Sequence, residues 1–540
     1  MTFDPSEAVL RYHRETKHHY HRYARSLGHM DWGNQPDPFR TYSGGEPVFL
    51  PLLDRDPDAG YTALYRRTGN RPQALSLSSI AAFFELSLAL SAWKEIPGNR
   101  WALRINPSSG NLHPTEAHVV IPDADGIVSG VYHYNPLYHV LEPRARISRR
   151  LCERIERHMG RAGFLLGLTS IFWRESWKYG ERAYRYCNHD VGHALAAVSM
   201  SANLQGWRVV CLNALSDGQV KAVLGLARTE WHPLEEEHPD VICFVCAGDD
   251  PNIPRFIPES IIAGFDALDW FGKPNRLSRE HVNWEIIYHT ARNAEKPVTT
   301  ERRVDFQDLP FRSTGSASLP AAAIIRKRRS AVAFTPRGSI PRDVFMGMLD
   351  KTLPRKYCAP FDMELSDPAV NLLLFVHGVE GLSQGMYFFL RTGEDLQTIR
   401  RLAASDLLWK PVEPDFPLYC LKLGDFRNEA TQVSCHQEIA GMSAFSLGMI
   451  ARFGQTVRQA PYRYRYLFWE TGMIGQVLYL EAEAHGFRGT GIGCFFDDPV
   501  HAMIGLTGEA CQSLYHFTVG TAVEDRRLLT RPPYFHLRRH

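Results

Sequence analysis

The chain has 540 residues and is nearly neutral, with 61 Lys and Arg residues against 59 Asp and Glu residues and a formal net charge of +2. This length is sufficient for two or three domains, each with a sizeable core. The charge gives no argument for nucleic acid or for an acidic partner. An apolar fraction of 44% is ordinary for a globular protein.

The N-terminal segment and the cysteines predict a cytoplasmic protein. Residues 1–24 lack the apolar core of a secretory signal, and no apolar run approaches the roughly 18 residues that a membrane span needs. The ten cysteines are scattered without framework spacing, which indicates free thiols in a reducing compartment. Cys243 and Cys246 form a CxxC within a strand-like run, where their side chains point to opposite faces, so we expect no metal there.

In chain order, residues 1–60 are an extension rich in His, Arg and Tyr and then in Gly, Pro and Asp. A first domain is predicted over residues 61–250. Its predicted elements are a helix capped by Ser78 or Ser79, a strand near His118 to Ile121, a hairpin turning at Asn135-Pro136, a long helix within Trp177 to Gln205, a strand from Val209 to Leu215, a short helix from Asp217 to Leu226 and a buried strand VICFVCAG.

Residues 251–318 have no counterpart elsewhere and are interpreted as a linker. A second domain is predicted over residues 319–540, because its helix, strand, hairpin and long-helix patterns follow the order of the first. This order indicates an α+β fold with a mixed or antiparallel sheet, not alternating βαβ units. Neither domain has a P-loop or a Rossmann glycine fingerprint.

The stretch from Trp177 to Leu226 recurs 280 residues later without a gap. The recurrence predicts a tandem duplication of one domain. Asp190 and Gly192 recur as Glu470 and Gly472, which indicates a role in helix packing. Arg185 and its counterpart Arg465 are also interpreted as structural. The positions identical at plus 280 are Tyr184, Arg185, Tyr186, Gly192, Ala202, Gly206, Arg208, Asp217, Val220, Ala222, Gly225 and Leu226.

Four short motifs stand out. They are Pro107-Ser108-Ser109-Gly110-Asn111, Arg328-Arg329-Ser330, Gly491-Ile492-Gly493 and a C-terminal tail with Arg526, Arg527 and Arg531. Together they resemble the FMN-dependent nitroreductase superfamily, and in particular its branch of SagB/ThcOx-type dehydrogenases, which includes azoline dehydrogenases. The resemblance implies tandem nitroreductase-like domains that form an intramolecular pseudo-dimer, with FMN bound between them.

The resemblance also implies which residues hold the flavin. Arg328, Arg329, Ser330 and, in the tail, Arg527 would hold the phosphate, since a dianion calls for guanidinium groups and hydroxyls; a solvated tail is the alternative for Arg527. Gly491 and Gly493 would lie beside the ring, where small residues let the backbone approach. Pro107, Ser108, Ser109 and Asn111 would complete the site from the other domain.

The motifs are distributed unequally. The first copy has VVCLNAL where the glycines are expected, although Arg66-Arg67-Thr68 partly survives, and the second copy has CAPFDMELSDP in place of the serine turn. We therefore expect one intact composite site. The alternative is that the differences are drift, and that both sites or neither bind flavin.

In the azoline-dehydrogenase branch a Lys-Tyr pair supplies acid/base chemistry, and Lys178-Tyr179 stands at the matching place. A surface lysine beside a packing tyrosine is the alternative. The resemblance implies hydride transfer between flavin N5 and a small-molecule or peptide, azoline-like, substrate. An NAD(P)H-dependent nitro or quinone reductase and a non-catalytic scaffold are the competing hypotheses. We expect no metal, no membrane and no nucleic acid partner, and further dimerisation stays open.

Overall fold

The structure is a computed structural model that describes residues 4–66, 72–248, 252–312, 320–393 and 396–537. Arg67 and Thr68, which belong to a predicted motif, lie outside the described residues. The first part of the chain contains α1 (Pro5–Glu15), β1 (Tyr42–Ser43), β2 (Val48–Phe49), α2 (Leu77–Glu85), β3 (Leu90–Ile96), β4 (Asn99–Arg104), β5 (Thr115–Ile121), β6 (Gly130–Asn135), β7 (Val140–Arg146), α3 (Arg149–Met159), β8 (Gly163–Ser170), α4 (Phe172–Tyr179), α5 (Ala183–Leu204), β9 (Trp207–Cys211), α6 (Asp217–Val223) and β10 (His238–Ala247).

The segment predicted as a linker holds α7 (Glu259–Asp266), β11 (Lys273–Pro274) and α8 (Glu285–Asn293). The remaining elements are α9 (Ala321–Lys327), α10 (Arg342–Lys351), β12 (Val370–Val376), β13 (Gly385–Phe389), α11 (Leu396–Leu402), β14 (Lys410–Glu413), β15 (Phe416–Leu423), α12 (Arg427–Val433), α13 (Glu438–Met442), β16 (Phe445–Arg452), α14 (Gly454–Gln459), α15 (Arg463–Ala484), β17 (Arg488–Ile492), α16 (Asp497–Ala502), β18 (Cys511–Gly520) and β19 (Leu529–Arg531).

Two seven-stranded sheets dominate the fold, with strand orders β2-β7-β6-β5-β8-β10-β9 and β14-β15-β13-β12-β16-β18-β17. Six strands correspond in order between the two sheets, whereas the edge strands β2 and β14 come from different points of the two copies. The pairings within each sheet are antiparallel. The predicted α+β fold with two similar domains is confirmed, and the open choice between a mixed and an antiparallel sheet is resolved in favour of the antiparallel one.

The long helices α5 and α15 pack against each other in the middle of the molecule. Nearly all their residues are buried, as expected for helices enclosed on every side. A Cβ atom on Gly192 would lie 2.1 Å from the Trp469 carbonyl oxygen and 2.9 Å from the Gly472 Cα atom. On Gly472 it would lie 2.2 Å from the His189 carbonyl oxygen. The two recurring glycines therefore allow the helices to touch, which confirms their predicted packing role.

Two buried ion pairs join the copies reciprocally. Arg185 of the first copy contacts Asp497 of the second at 2.7 Å, and Arg465 of the second contacts Asp217 of the first at 2.7 Å. All four side chains are nearly inaccessible to solvent. Because both partners recur at plus 280, this exchange is the arrangement expected of a fused two-fold dimer. The structural role predicted for the recurring arginines is confirmed.

The region after α2 departs from the sequence prediction. The helix is capped by Ser76, whose side chain accepts from the Ser79 N–H group, rather than by Ser78 or Ser79. The helix ends at Glu85, and the following apolar residues form the hairpin β3–β4. Strand β19 from the C-terminal tail pairs with β3, so this three-stranded sheet joins the hairpin of the first copy to the tail of the second.

Several absences bear on function. None of the helices in the described ranges is long and apolar enough to cross a membrane. In the same ranges, no group of three His, Cys, Asp or Glu side chains is placed to hold a metal ion. None of the ten cysteines, all of which lie within the described ranges, is in a disulfide.

Candidate active site

One cavity of about 460 Å³ lies at the junction of the two copies. The first copy contributes the loop between β4 and β5, the end of α4 and one face of α5. The second contributes the residues after α9, the end of β17 and part of the C-terminal tail. Of the predicted site residues, the cavity is lined by Pro107, Ser108, Ser109, Asn111, Tyr179, Arg328, Arg329, Ser330, Gly491 and Gly493.

The Pro107–Asn111 turn is fastened to α5. The Ser109 N–H group donates to the two Asp190 carboxylate oxygens at 3.1 and 3.3 Å, and the Ser109 hydroxyl donates to the same carboxylate at 3.1 Å. Burial raises the pKa of Asp190 to about 7, against the hydrogen bonds from Ser108 and Ser109. Asn111 donates to the Ala102 carbonyl at 2.9 Å. The turn is thereby held rigidly at the cavity wall, and Asp190 has a role that helix packing alone did not predict.

Four cations meet at one end of the cavity. We call Lys94, Arg328, Arg329 and Arg488 the basic cluster; all four line the cavity. Burial, with Arg328 and Arg488 nearby, lowers the pKa of Arg329 to about 10. Burial, with Arg329 nearby, also lowers the pKa of Lys94. Arg488 has a partial counterion in Glu524 at 2.6 Å. The positive charges of the basic cluster that Glu524 does not neutralise repel one another, and a bound anion would reduce this repulsion.

Arg328 has an unused donor inside this cluster. Its Nη2 atom donates to the Arg104 and Ile105 carbonyls at 2.9 and 3.2 Å, and its guanidinium lies 5.2 Å from the centre of the Tyr479 ring. Its Nε atom is buried and has no hydrogen-bond partner among the described residues. Buried polar atoms are normally hydrogen-bonded, so the arginine is suited to an anion that the protein itself does not supply.

The glycine-rich end of β17 forms another part of the cavity lining. A Cβ atom on Gly491 would lie 1.8 Å from the Tyr515 hydroxyl, and one on Gly493 would lie 2.1 Å from the Tyr186 ring. The Gly491 N–H group donates to the Tyr479 hydroxyl at 2.9 Å, which also contacts the Ser330 hydroxyl at 2.8 Å. Only glycine lets these aromatic side chains approach the strand so closely.

Lys178 and Tyr179 end helix α4 beside the serine turn. Tyr179 lines the cavity, whereas Lys178 is not among its lining residues. The Lys178 Nζ atom lies 5.1 Å from the centre of the Tyr179 ring. A Cβ atom on Gly110 would lie 2.6 Å from the Tyr179 hydroxyl and 3.1 Å from Lys178 Nζ, so the pair adjoins the turn. Burial and then the Glu175 carboxylate raise the pKa of Tyr179 well above its usual value, which keeps the phenol protonated.

Glu175 lies one turn before Lys178 on the same helix. Its carboxylate is buried, and neither oxygen has a hydrogen-bond partner among the described residues. Burial, followed by the nearby Asp190, raises the pKa of Glu175 well above its usual value, and Lys178 opposes the shift. An acidic side chain therefore lies close to the predicted acid/base pair, Lys178 and Tyr179.

Arg527 stands apart from the other predicted residues. It is not one of the residues lining the cavity, and its side chain is 86% exposed and paired with Asp525 at 2.7 Å. The basic cluster includes two residues that sequence reasoning missed, Lys94 and Arg488. The recurrence of Arg208 as Arg488 was a usable signal, whereas nothing in the local sequence marks Lys94.

The pseudo-symmetric position in the other half is largely filled. A cavity of about 20 Å³ remains there, and Glu470 and Met473 in its lining correspond to Asp190 and His193. A neighbouring opening of about 250 Å³ contains Arg208. The full lining of the small cavity is Phe306, Pro360, Phe361, Met363, Leu365, Ser366, Pro368, Glu470 and Met473.

The linker passes through this second position. Asn213 corresponds to Gly493, and its side chain donates to the Arg302 and Glu364 carbonyls at 2.7 and 3.0 Å. Arg208, the counterpart of Arg488, pairs with the Glu364 carboxylate at 2.7 Å. Asn213 and Arg208, two described donors that would meet a ligand in this half, are thus already engaged by protein groups.

Comparisons with known proteins agree with this fold. Residues 81–248 match the family model described as the nitroreductase family. The putative nitroreductase MJ1384 of Methanocaldococcus jannaschii is 28% identical over 151 residues, which cover 27% of this chain and 76% of that protein. The trifolitoxin-processing protein TfxB of Rhizobium leguminosarum bv. trifolii is 33% identical over 129 residues, or 22% of this chain and 35% of that protein.

Among solved structures, a putative nitroreductase from Anabaena variabilis covers 96% of this chain and 99% of its own length, with a TM-score of 0.66 and 20% identity. At this identity the likeness shows the fold alone. The match extends over both halves, including the part that the family model leaves out. Residues 81–248 are therefore similar to the nitroreductase family, and the chain has a nitroreductase-like fold over the 96% of its length that this solved structure covers.

Proposed function

We propose that the chain is an FMN-dependent oxidoreductase with a single composite flavin site in the 460 Å³ cavity. The observation that carries the proposal is that the Pro107–Asn111 turn of one copy lines the same cavity as Arg328, Arg329, Arg488 and the Gly491–Gly493 strand end of the other. The volume is within the range of roughly 300–1,000 Å³ that cofactor pockets occupy. When bound, the flavin supplies the two-electron chemistry.

The residues fit FMN because their donors match its phosphate. The basic cluster offers guanidinium and ammonium groups without full counterions, and the buried Nε atom of Arg328 lacks a partner among the described residues. Guanidinium groups and hydroxyls are the groups that phosphate binding favours. Ser330 adds a hydroxyl beside them. We assign phosphate binding to Arg328, Arg329, Ser330, Lys94 and Arg488, and Arg527 would join them only by leaving Asp525.

We further propose that Lys178 and Tyr179 handle the proton of the reaction. The raised pKa of Tyr179 keeps its phenol protonated and makes it a hydrogen-bond donor to substrate. Lys178 would then be the candidate base that accepts a proton from substrate carbon. Glu175 lies beside them, and since a charged Lys178 lowers the raised pKa of Glu175, the charged lysine and the ionised carboxylate would stabilise each other. This division of roles suits dehydrogenation of an azoline-like peptide.

The names of two relatives favour different substrates for this chain. The name of TfxB connects it with trifolitoxin processing, which favours a peptide substrate. The name of MJ1384 favours a nitroreductase, which would use NAD(P)H and would not need the Lys–Tyr pair. A flavin-free scaffold is the remaining alternative, and the grouped cationic donors argue against it.

Paired assays test these alternatives. The FMN-loaded chain would be given an azoline peptide with oxygen as acceptor, and separately NAD(P)H with a nitroaromatic or a quinone. We expect peptide dehydrogenation that Lys178→Ala abolishes while Tyr179→Phe retains part of it. Turnover of the second pair alone, unaffected by Lys178→Ala, would replace the peptide assignment with the reductase. Failure to bind FMN would favour the scaffold.

A further inference from the structure

Two cysteines meet at the rim of the cavity. Cys494 follows Gly493 and lines the cavity, and Cys435 lies in the turn after α12. The Gln437 side chain donates to the Ser434 carbonyl at 2.9 Å and to the Cys494 carbonyl at 3.0 Å, which ties the two segments together. The thiol of Cys435 hydrogen-bonds the sulfur of Cys494.

The surroundings of Cys494 favour its thiolate. His18 Nδ1 accepts from the Ala24 N–H group at 3.0 Å, so the ring proton is on Nε2, the atom left to donate to Cys494. Arg182 donates to the Gly493 carbonyl at 3.2 Å, next to the sulfur. The Cys435 hydrogen bond, followed by His18 and Arg182, lowers the pKa of Cys494 despite its burial. Cys435 keeps its proton, since the same contact raises its pKa.

The pair differs from the other cysteines in accessibility. Cys435 and Cys494 are half-buried, whereas the other eight are buried. Cys211 and Cys243 form a useful comparison, because they lie opposite each other on β9 and β10 and are each 1% exposed. The Cys211 contact, followed by burial, raises the pKa of Cys243. Cys211 and Cys243 are therefore close together but inaccessible to solvent, whereas Cys435 and Cys494 are both close together and partly accessible.

We propose that Cys435 and Cys494 form a reversible dithiol site, reached through the cavity, that reacts with small-molecule disulfides. The Cys494 thiolate attacks one sulfur of the disulfide, forms a mixed disulfide and releases one thiolate. Cys435 then gives its proton to the released thiolate and attacks the Cys494 sulfur, which forms the Cys435–Cys494 bond and releases the second thiolate, and water protonates that thiolate. The protein dithiol is oxidised, and the small disulfide is reduced to two thiols.

This site does not depend on the proposed flavin chemistry. A metal site would need a third ligand, and no group of three suitable side chains is placed for one within the described ranges. The disulfide would join the turn after α12 to the end of β17, beside Gly493. Oxidation would therefore fix the cavity wall at the glycine-rich strand end.

The full chain would be incubated with oxidised and reduced glutathione in defined ratios, quenched by alkylation and digested. Trypsin leaves Cys435 and Cys494 on different peptides, and further cleavage before Asp497 separates Cys494 from Cys511. We expect a reversible Cys435–Cys494 linked peptide. In Cys435→Ser, one glutathione should accumulate on Cys494, at least about ten times faster than on any buried cysteine. In Cys494→Ser that rapid reaction should be lost, and in the matched control Cys243→Ser it should be unchanged.

Three results would overturn the proposal. They are the absence of a linked peptide in the unsubstituted chain, a mixed disulfide that accumulates there without resolving, and a Cys494 that reacts no faster than Cys211. The first measurement needs no substitution, so a variant that fails to fold leaves it valid. Because no assay here uses flavin or its substrate, failure of the flavin proposal would not affect the outcome.

Discussion

Replacing Asp497 by Asn tests the pairing of the two copies. Its carboxylate accepts from Arg185 at 2.7 Å and from Arg182 at 3.0 Å, and from the His18 N–H group at 3.1 Å. Burial by itself would raise the pKa of Asp497, but Arg182 and Arg185 hold it well below its usual range. The substitution keeps the shape and leaves two buried guanidinium groups without their counterion.

The expected loss of stability is about 3–5 kcal/mol, the usual cost of breaking a buried ion pair on one side. Unfolding entropy of about 2.1 cal/mol/K per residue, over 540 residues, corresponds to about 1.1 kcal/mol/K. The melting temperature should therefore fall by about 3–5 °C if the chain unfolds as one unit, and by about twice that if one copy unfolds alone.

Scanning calorimetry and urea unfolding would measure the change, with Asp498→Asn as the matched control. Asp498 pairs with Lys17, but its side chain is 50% exposed, so its loss should cost about 0–1 kcal/mol. Since the folded pKa of Asp497 lies below the unfolded value of about 3.9, its contribution is present above that pH and is lost as the pH falls further. Equal effects of the two substitutions at neutral pH would refute the reasoning.

Three further predictions concern the cavity and the helix contact. Arg328→Ala should weaken FMN binding by about 1.5–3 kcal/mol, the value of a hydrogen bond to a charged group, whereas Arg527→Ala should have little effect in the same fluorescence titration; the reverse order would restore Arg527 as the phosphate ligand. Lys178→Ala should abolish azoline dehydrogenation without lowering FMN occupancy, and a parallel loss of both would indicate a structural role. Gly472→Ala should lower the melting temperature, because its Cβ atom would lie 2.2 Å from the His189 carbonyl oxygen. Gly393→Ala should leave the melting temperature unchanged, because no atom of the described residues lies within 4 Å of the Cβ position there.

The features that sequence predicted well are those encoded over short distances. The recurrence at plus 280 predicted two similar domains, which the structure has, and its arginine and glycine positions form contacts between them. The hairpin turning at Asn135-Pro136 and the buried strand β10 are also present as predicted. In each case a turn residue or an apolar run is sufficient to define the element locally.

The features that sequence missed depend on distant partners. The residues of β3 continue an apolar helical pattern, but they pair with β4 and with β19, where Glu95 lies opposite Leu529. Lys94 enters the basic cluster only because that strand forms. Tertiary pairing therefore overrode local propensity at this point.

The sequence predicted part of the asymmetry between the two pseudo-symmetric sites. The missing glycines and serines showed that one half had changed, but not what replaced the ligand. The linker fills that position through Arg302, whose N–H group donates to the Asn213 side chain at 3.1 Å. A segment with no counterpart elsewhere in the sequence offers no pattern from which this docking could be predicted.

An absorption spectrum with quantified flavin tests the central claim most directly. The purified chain, after addition of FMN and removal of the excess, should show bands near about 370 and 450 nm. Heat release should yield about one FMN per chain, because among the described residues only one of the two pseudo-symmetric positions has a cavity of cofactor size. About two FMN per chain would contradict the single composite site, and none would contradict the flavoprotein assignment itself.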